Sequence, residues 1–157
     1  HITVVQMPAV DTPQFSWARA KTSHHPQPVP PIYRPELAAR AVLFAADHPT
    51  RKQYYVGTST LATVLGNKLC AGLIDRYLAR TAYGSQQTAD ELSEPRLGNL
   101  YEPLDGEDGH DYGMRGRFGA RAHARDPQLW FSRHPVLAGT AAASVLAAGG
   151  ALRRLRS

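Results

Sequence analysis

Cysteine is almost missing from this sequence: Cys70 is the only one in 157 residues. A single thiol excludes an intramolecular disulfide framework and a cysteine-rich zinc site. Histidine does not supply a metal site instead. His24 and His25 sit in a proline-rich stretch, His48 falls at a predicted helix end, and His110, His123 and His134 are scattered. None has helical i, i+4 spacing with a carboxylate partner. The first apolar residues read at once as a strand, so no signal peptide is expected before them. Acids are scarce from Arg115 onward, where Asp126 stands against eight arginines.

What is present is enough for one domain with a real core: 157 residues, 43% of them hydrophobic. A peptide hormone or mini-protein is therefore excluded. The net charge of +5 is unevenly placed. Eight of the thirteen acids lie between Asp90 and Asp111, opposed there only by Arg96. The arginine-rich stretch follows them, and residues 1–89 carry nine basic residues against four acids. A nucleic-acid domain would interleave its basic residues with exposed aromatics on one folded face, so no nucleic-acid partner is expected.

Residues 2–5, Ile-Thr-Val-Val, read as a strand buried on both faces, as in a parallel sheet. Because the chain opens on that strand at His1, it is expected to be a piece of something longer. Asp11-Thr12-Pro13 offers a cap and first turn for a short helix through Phe15, Trp17 and Ala20. Residues 23–35 hold five prolines and are expected to be extended polyproline II without a ladder of their own. An amphipathic helix is predicted from Pro35-Glu36 to about His48, with Leu37, Ala41 and Phe44 or Ala45 on one face. Residues 53–56 form a second strand, parallel to the first through a right-handed crossover.

A longer helix is predicted over 59–80, capped by Thr58 or Ser59. Leu61, Leu65, Leu69, Leu73 and Tyr77 recur every four residues. Cys70, near that face, is read as a small core residue. Gly66 and Gly72 each weaken the helix by about 1 kcal/mol relative to alanine. Residues 84–125 lack periodicity and are expected to be mostly irregular. In residues 125–133, Leu129, Trp130 and Phe131 between arginines are read as ordinary loop packing. The uncharged stretch 135–152 approaches the length of a bilayer span, but its alanine and glycine give it little drive to insert.

The loop Met7-Pro8-Ala9-Val10-Asp11-Thr12-Pro13, followed by Pro35-Glu36-Leu37-Ala38 and Tyr54-Tyr55-Val56-Gly57, resembles the C-terminal part of the short-chain dehydrogenases/reductases. The likeness covers about residues 1–80. Val10-Asp11-Thr12-Pro13 matches the second half of that family's Pro-Gly-x-Val-x-Thr motif, whereas Met7-Pro8 stands where Pro-Gly is usual. The implied fold class is α/β: the C-terminal part of a doubly wound parallel, Rossmann-like sheet in the order strand-helix-strand-helix, with an irregular tail and a C-terminal helix. The implied organisation is an end segment over 1–82, a polar extension over 83–134 and an apolar helix with an arginine-rich end over 135–157.

The resemblance implies an NAD(P)-dependent oxidoreductase acting on a small carbonyl or alcohol substrate. Val10 and Thr12 would bind the cofactor, through the Val10 backbone on the nicotinamide carboxamide and the Thr12 hydroxyl on the carboxamide or pyrophosphate. Phe15 and Trp17 would form a substrate lid, with plain core packing as the alternative. The family's catalytic and nucleotide-loop residues lie upstream of the matching part. None of the seven tyrosines has a lysine four residues on, and Gly113-Met114-Arg115-Gly116-Arg117-Phe118-Gly119 follows no predicted strand. The chain alone is thus expected to be inactive and poorly folded, and the complete protein cytoplasmic. The alternative is a non-enzymatic segment that associates with a partner or membrane through 135–157.

Overall fold

In a computed structural model, residues 1–92, 98–104, 109–141 and 143–144 are described. The first strand, β1 (Val4–Gln6), is followed by a second, β2 (Ala9–Val10), and a single helical turn, α1 (Gln14–Trp17). Two further strands, β3 (His24–Pro26) and β4 (Ile32–Tyr33), precede helix α2 (Pro35–Asp47). Strand β5 (Gln53–Tyr55) leads into the long helix α3 (Thr58–Ser85) and strand β6 (Gln87–Glu91). A 3-10 turn (Gly119–Arg121), strand β7 (Ala122–His123) and helix α4 (Pro127–Arg133) follow, and residues 135–141 are again helical. The chain is α/β with parallel pairing. β1 pairs with β5 in the register Val5↔Tyr54, and β2, β4 and β7 form a parallel three-stranded sheet. β3 and β6 form a separate antiparallel ribbon.

Helix α2 begins where proline fixes φ. Arg34 before it is extended, as a residue preceding proline prefers to be. Leu37, Ala41 and Ala45, four residues apart, are all buried. Leu37 and Ala41 meet Tyr33, Val56 and Leu129 in the core, with Val5 packed against it. The alanines let the helix lie close to the strands. Burying Leu37 contributes about 1.5–3 kcal/mol.

The β5–α3 junction depends on Gly57, whose φ is +88°. A Cβ there would stand 2.9 Å from Pro8 Cβ and 3.1 Å from the Tyr33 ring. The Gly57 N–H donates to Asp126 Oδ2 at 2.7 Å, while Asp126 Oδ1 accepts from Gln128 N–H at 3.2 Å. One buried carboxylate thus holds the start of α3 and caps α4.

Several expectations need correction. β1 is not covered on both faces: it pairs with β5 alone among the described residues, and Val4 is exposed. Asp11 does not cap α1, whose N-cap is Pro13 without a side-chain bond, and the helix stops at Trp17. Residues 23–35 do carry ladders, because β3 finds β6 and β4 lies between β2 and β7. Prolines at strand ends and edges leave the intervening N–H groups free to pair.

α3 starts from Gly57, without a cap from Thr58 or Ser59, and runs five residues further than expected. It is broken at Cys70 (φ −144°, ψ 53°). The break brings Ile74 Cδ1 to 3.2 Å from where a Gly66 Cβ would lie, a contact that a straight helix cannot make across eight residues. Its leucine face is not core: Leu65, Leu69, Leu73 and Tyr77 are exposed, and so is Cys70. The segment 125–133 is not loop but α4, with Leu129 in the core and Trp130 and Phe131 exposed. No helix of the described residues is long and apolar enough to cross a membrane. Residue 142 and residues 145–157, half of the predicted apolar stretch and all of its arginine-rich end, lie outside the described residues.

Candidate functional site

The site is built around the end of β2. Pro8 has no N–H, so the ladder with β4 starts at Ala9 and is two residues long. Asp11 N–H donates to the Tyr33 carbonyl at 2.9 Å. Backbone groups alternate in direction along a strand, so Val10 N–H faces away from β4, at the open edge of the three-stranded sheet. The Val10 carbonyl is already engaged, accepting from Thr12 N–H at 3.0 Å across a tight turn.

That edge opens into a cleft of about 400 Å³, within the usual size of a small-molecule pocket. Val10, Thr12 and Phe15 all line it, together with Pro8, Ala9 and Gln14. The facing wall is residues 27–29 and Gln86, at the start of the β3–β6 ribbon. Gln27 stiffens this wall: its Nε2 donates to the Ser85 and Gln87 carbonyls at 3.1 and 2.7 Å, and its Oε1 accepts from Arg121 Nη1 at 3.1 Å. A second cleft of about 300 Å³ shares Pro8, Ala9 and Val29 and reaches Ser59, Thr60, Thr63 and Val64 in the first turns of α3.

The turn beneath the cleft is clamped by the glycine-rich stretch of the tail. Asp11 is 1% exposed, and its Oδ1 accepts from Phe118 N–H at 3.0 Å. Gly116 N–H donates to the Asp11 carbonyl at 3.1 Å. The approach is so close that a Cβ on Gly116 would lie 2.5 Å from both Asp11 Oδ1 and the Thr12 carbonyl oxygen. Phe118 is buried and meets Phe15 edge-on, with ring centroids 6.1 Å apart. The same stretch is tied to α2, since Arg115 Nε donates to Glu36 Oε1 at 2.7 Å. The Glu36 backbone N–H first, and then Arg115, hold the Glu36 carboxyl below the ordinary carboxylate range.

Three of the four residues singled out from the sequence, Val10, Thr12 and Phe15, therefore share one cleft. Trp17 is placed elsewhere. Its ring packs edge-on against Tyr112 at 4.9 Å, and its carbonyl accepts from Asn99 N–H at 3.1 Å. Sequence reasoning missed Asp11, Gly116 and Phe118 as parts of the site. The available signal was a phenylalanine set among glycines in an otherwise polar stretch.

No family profile matches the chain, and no solved structure matches it. Among curated proteins it is similar to the uncharacterized oxidoreductase YxnA of Bacillus subtilis (strain 168), at 34% identity over 96 residues. The match takes in 60% of this chain and 26% of that protein, so the chain spans about a quarter of its relative's length. This similarity supports an oxidoreductase relationship.

Proposed function

We propose that the chain forms one wall of the nicotinamide and substrate pocket in an NAD(P)-dependent oxidoreductase of the short-chain dehydrogenase/reductase type. The observation that carries the reading is the convergence of Val10, Thr12 and Phe15 on a single cleft at the carboxyl end of β2. Ligands of open α/β sheets bind beyond the carboxyl ends of strands. The oxidoreductase relative supports the same direction.

The donors present fit a carboxamide. Val10 N–H lies at the open sheet edge, and the Thr12 hydroxyl makes no hydrogen bond among the described residues. A carboxamide oxygen would accept from the first, and its NH₂ would donate to the second. They do not fit a pyrophosphate: no basic residue among the described residues lines the cleft, and α1 is one turn long, with little dipole to offer. When bound, the nicotinamide would supply the hydride, so that a carbonyl gains a hydride at carbon and a proton at oxygen while NAD(P)H becomes NAD(P)⁺. The chain's own part is to orient the ring through Val10 and Thr12 and to keep water from one face with Phe15. It has no Tyr-x-x-x-Lys to hold the proton.

Saturation-transfer NMR of NADH and NADPH on the full chain tests this. Signal is expected at the nicotinamide protons and not at the adenine protons. Val10→Pro removes the outward N–H from an edge strand, where proline is tolerated. It is expected to weaken nicotinamide binding about three- to tenfold, the net value of one hydrogen bond, with little change in thermal midpoint. Adenine-only transfer, or unchanged affinity in Val10→Pro, would overturn the assignment.

A further inference from the structure

The two clefts share a property that goes beyond the reading above. In a chain with 20% charged residues, not one of the described residues lining either cleft is charged. Val10, Val29 and Phe15 supply apolar surface. Thr12, Gln14 and Gln86 supply hydroxyl and amide groups whose side chains make no hydrogen bond among the described residues. Arg121 stands outside the lining and donates to Gln27 Oε1, and the Gln27 amide is occupied at both ends.

A ligand carboxylate or phosphate entering here would give up part of its water without meeting a cation among the described lining residues, which is unfavourable. A ketone, aldehyde or alcohol would keep its hydrogen bonds through the Gln14 and Gln86 amides, and its hydrocarbon body would cover the valines and the phenylalanine. The second cleft shares Pro8, Ala9 and Val29 with the first, and its described lining out to Ser59 and Thr63 is equally free of charge.

We infer that the substrate held by this wall is an uncharged, largely apolar ketone, aldehyde or alcohol, and that carboxylated or phosphorylated analogues are rejected. The inference rests on the oxidoreductase reading for the chemistry at the carbonyl carbon, but its binding preference is measured without the cofactor. The test uses 2-acetylnaphthalene and 6-acetyl-2-naphthoate, which share a ring system and ketone and differ by one carboxylate. Dissociation constants are read by ligand-observed NMR on the full chain and on Val29→Lys. Val29 lines both clefts and is 42% exposed, so lysine is accommodated there without disturbing the core.

The wild type is expected to bind the neutral ketone at least about tenfold more tightly than the carboxylate, a difference of one step on the affinity scale. Val29→Lys is expected to close most of that gap. Equal or tighter binding of the carboxylate by the wild type, binding of neither compound, or an unchanged preference in Val29→Lys would overturn the inference. If the preference holds but neither NADH nor NADPH transfers signal to its nicotinamide protons, the oxidoreductase reading fails and the uncharged-ligand site stands.

Discussion

Helices α2 and α3 carry the same kind of pattern and meet different fates. In α2, Leu37, Ala41 and Ala45 recur every four residues and are at most 4% exposed. In α3, Leu65, Leu69, Leu73 and Tyr77 recur at the same spacing and are at least 48% exposed. The difference lies in what the rest of the chain brings to each. α2 lies against the strands, shares a core with Leu129 of α4 and is tied by Arg115 to the glycine-rich stretch. α3 touches its chain neighbours β5 and β6 and part of α4, and none of its residues is buried. Periodicity defines a face; it does not name a partner.

The largest expected effect contrasts matching substitutions. Leu37→Ala is expected to cost about 2–5 kcal/mol, as for other large-to-small core changes, whereas Leu69→Ala should stay within about 0.5 kcal/mol. Urea unfolding of the two variants reads the difference directly. Similar losses in both would show that α3 is packed as tightly as α2, and the contrast would collapse.

A smaller effect probes what covers the α2 side. Gly116→Ala puts a methyl group where Asp11 and the Thr12 carbonyl already lie, so the tail must move off the turn. A loss of about 1–3 kcal/mol, the usual cost of overpacking, is expected. Heteronuclear NMR should show shifts spreading from residues 113–119 to Val10 and Thr12 and sparing α3. Shifts confined to the tail would mean that the turn holds its shape unaided.

The smallest effect is a dependence on pH. The Glu36 carboxyl is held below its ordinary range by its own backbone N–H and by Arg115, so its ionised form is favoured in the folded chain. That contribution is present above the unfolded value and is lost as pH falls through the lower folded value. The urea midpoint should therefore decline on acidification below about pH 5, and the decline should be shallower in Glu36→Gln. An identical pH profile in the variant would remove Glu36 from the account.

Much of the frame around α2 was legible in the sequence. Proline at position 35 sets a helix start, spacing gives its buried face, and β-branched residues at 4 and 5 give a strand that pairs with residues 53–55. The placing of Val10, Thr12 and Phe15 near one another followed from the loop motif. What local pattern could not supply was pairing at long range. β3 finds β6, and β4 finds β7 some ninety residues later, so a proline-rich stretch with no ladder of its own acquires two. Asp11 looked like a helix cap because Asp before Thr-Pro usually is one; its actual donor is 107 positions away. The break at Cys70 left no mark beyond two glycines nearby.

That long separation has a consequence for the order of assembly. Contacts between distant positions form only after the loop between them closes, and they slow folding more than they stabilise. As the chain emerges during synthesis, α2 and the β1–β5 pair can form once residues 1–60 have been made. The floor of the cleft cannot be fixed until residues 116–118 have been made and have swung back onto Asp11. The turn that carries Val10 and Thr12 is therefore fixed late, and a chain stalled before residue 116 would carry the β2 end without its clamp.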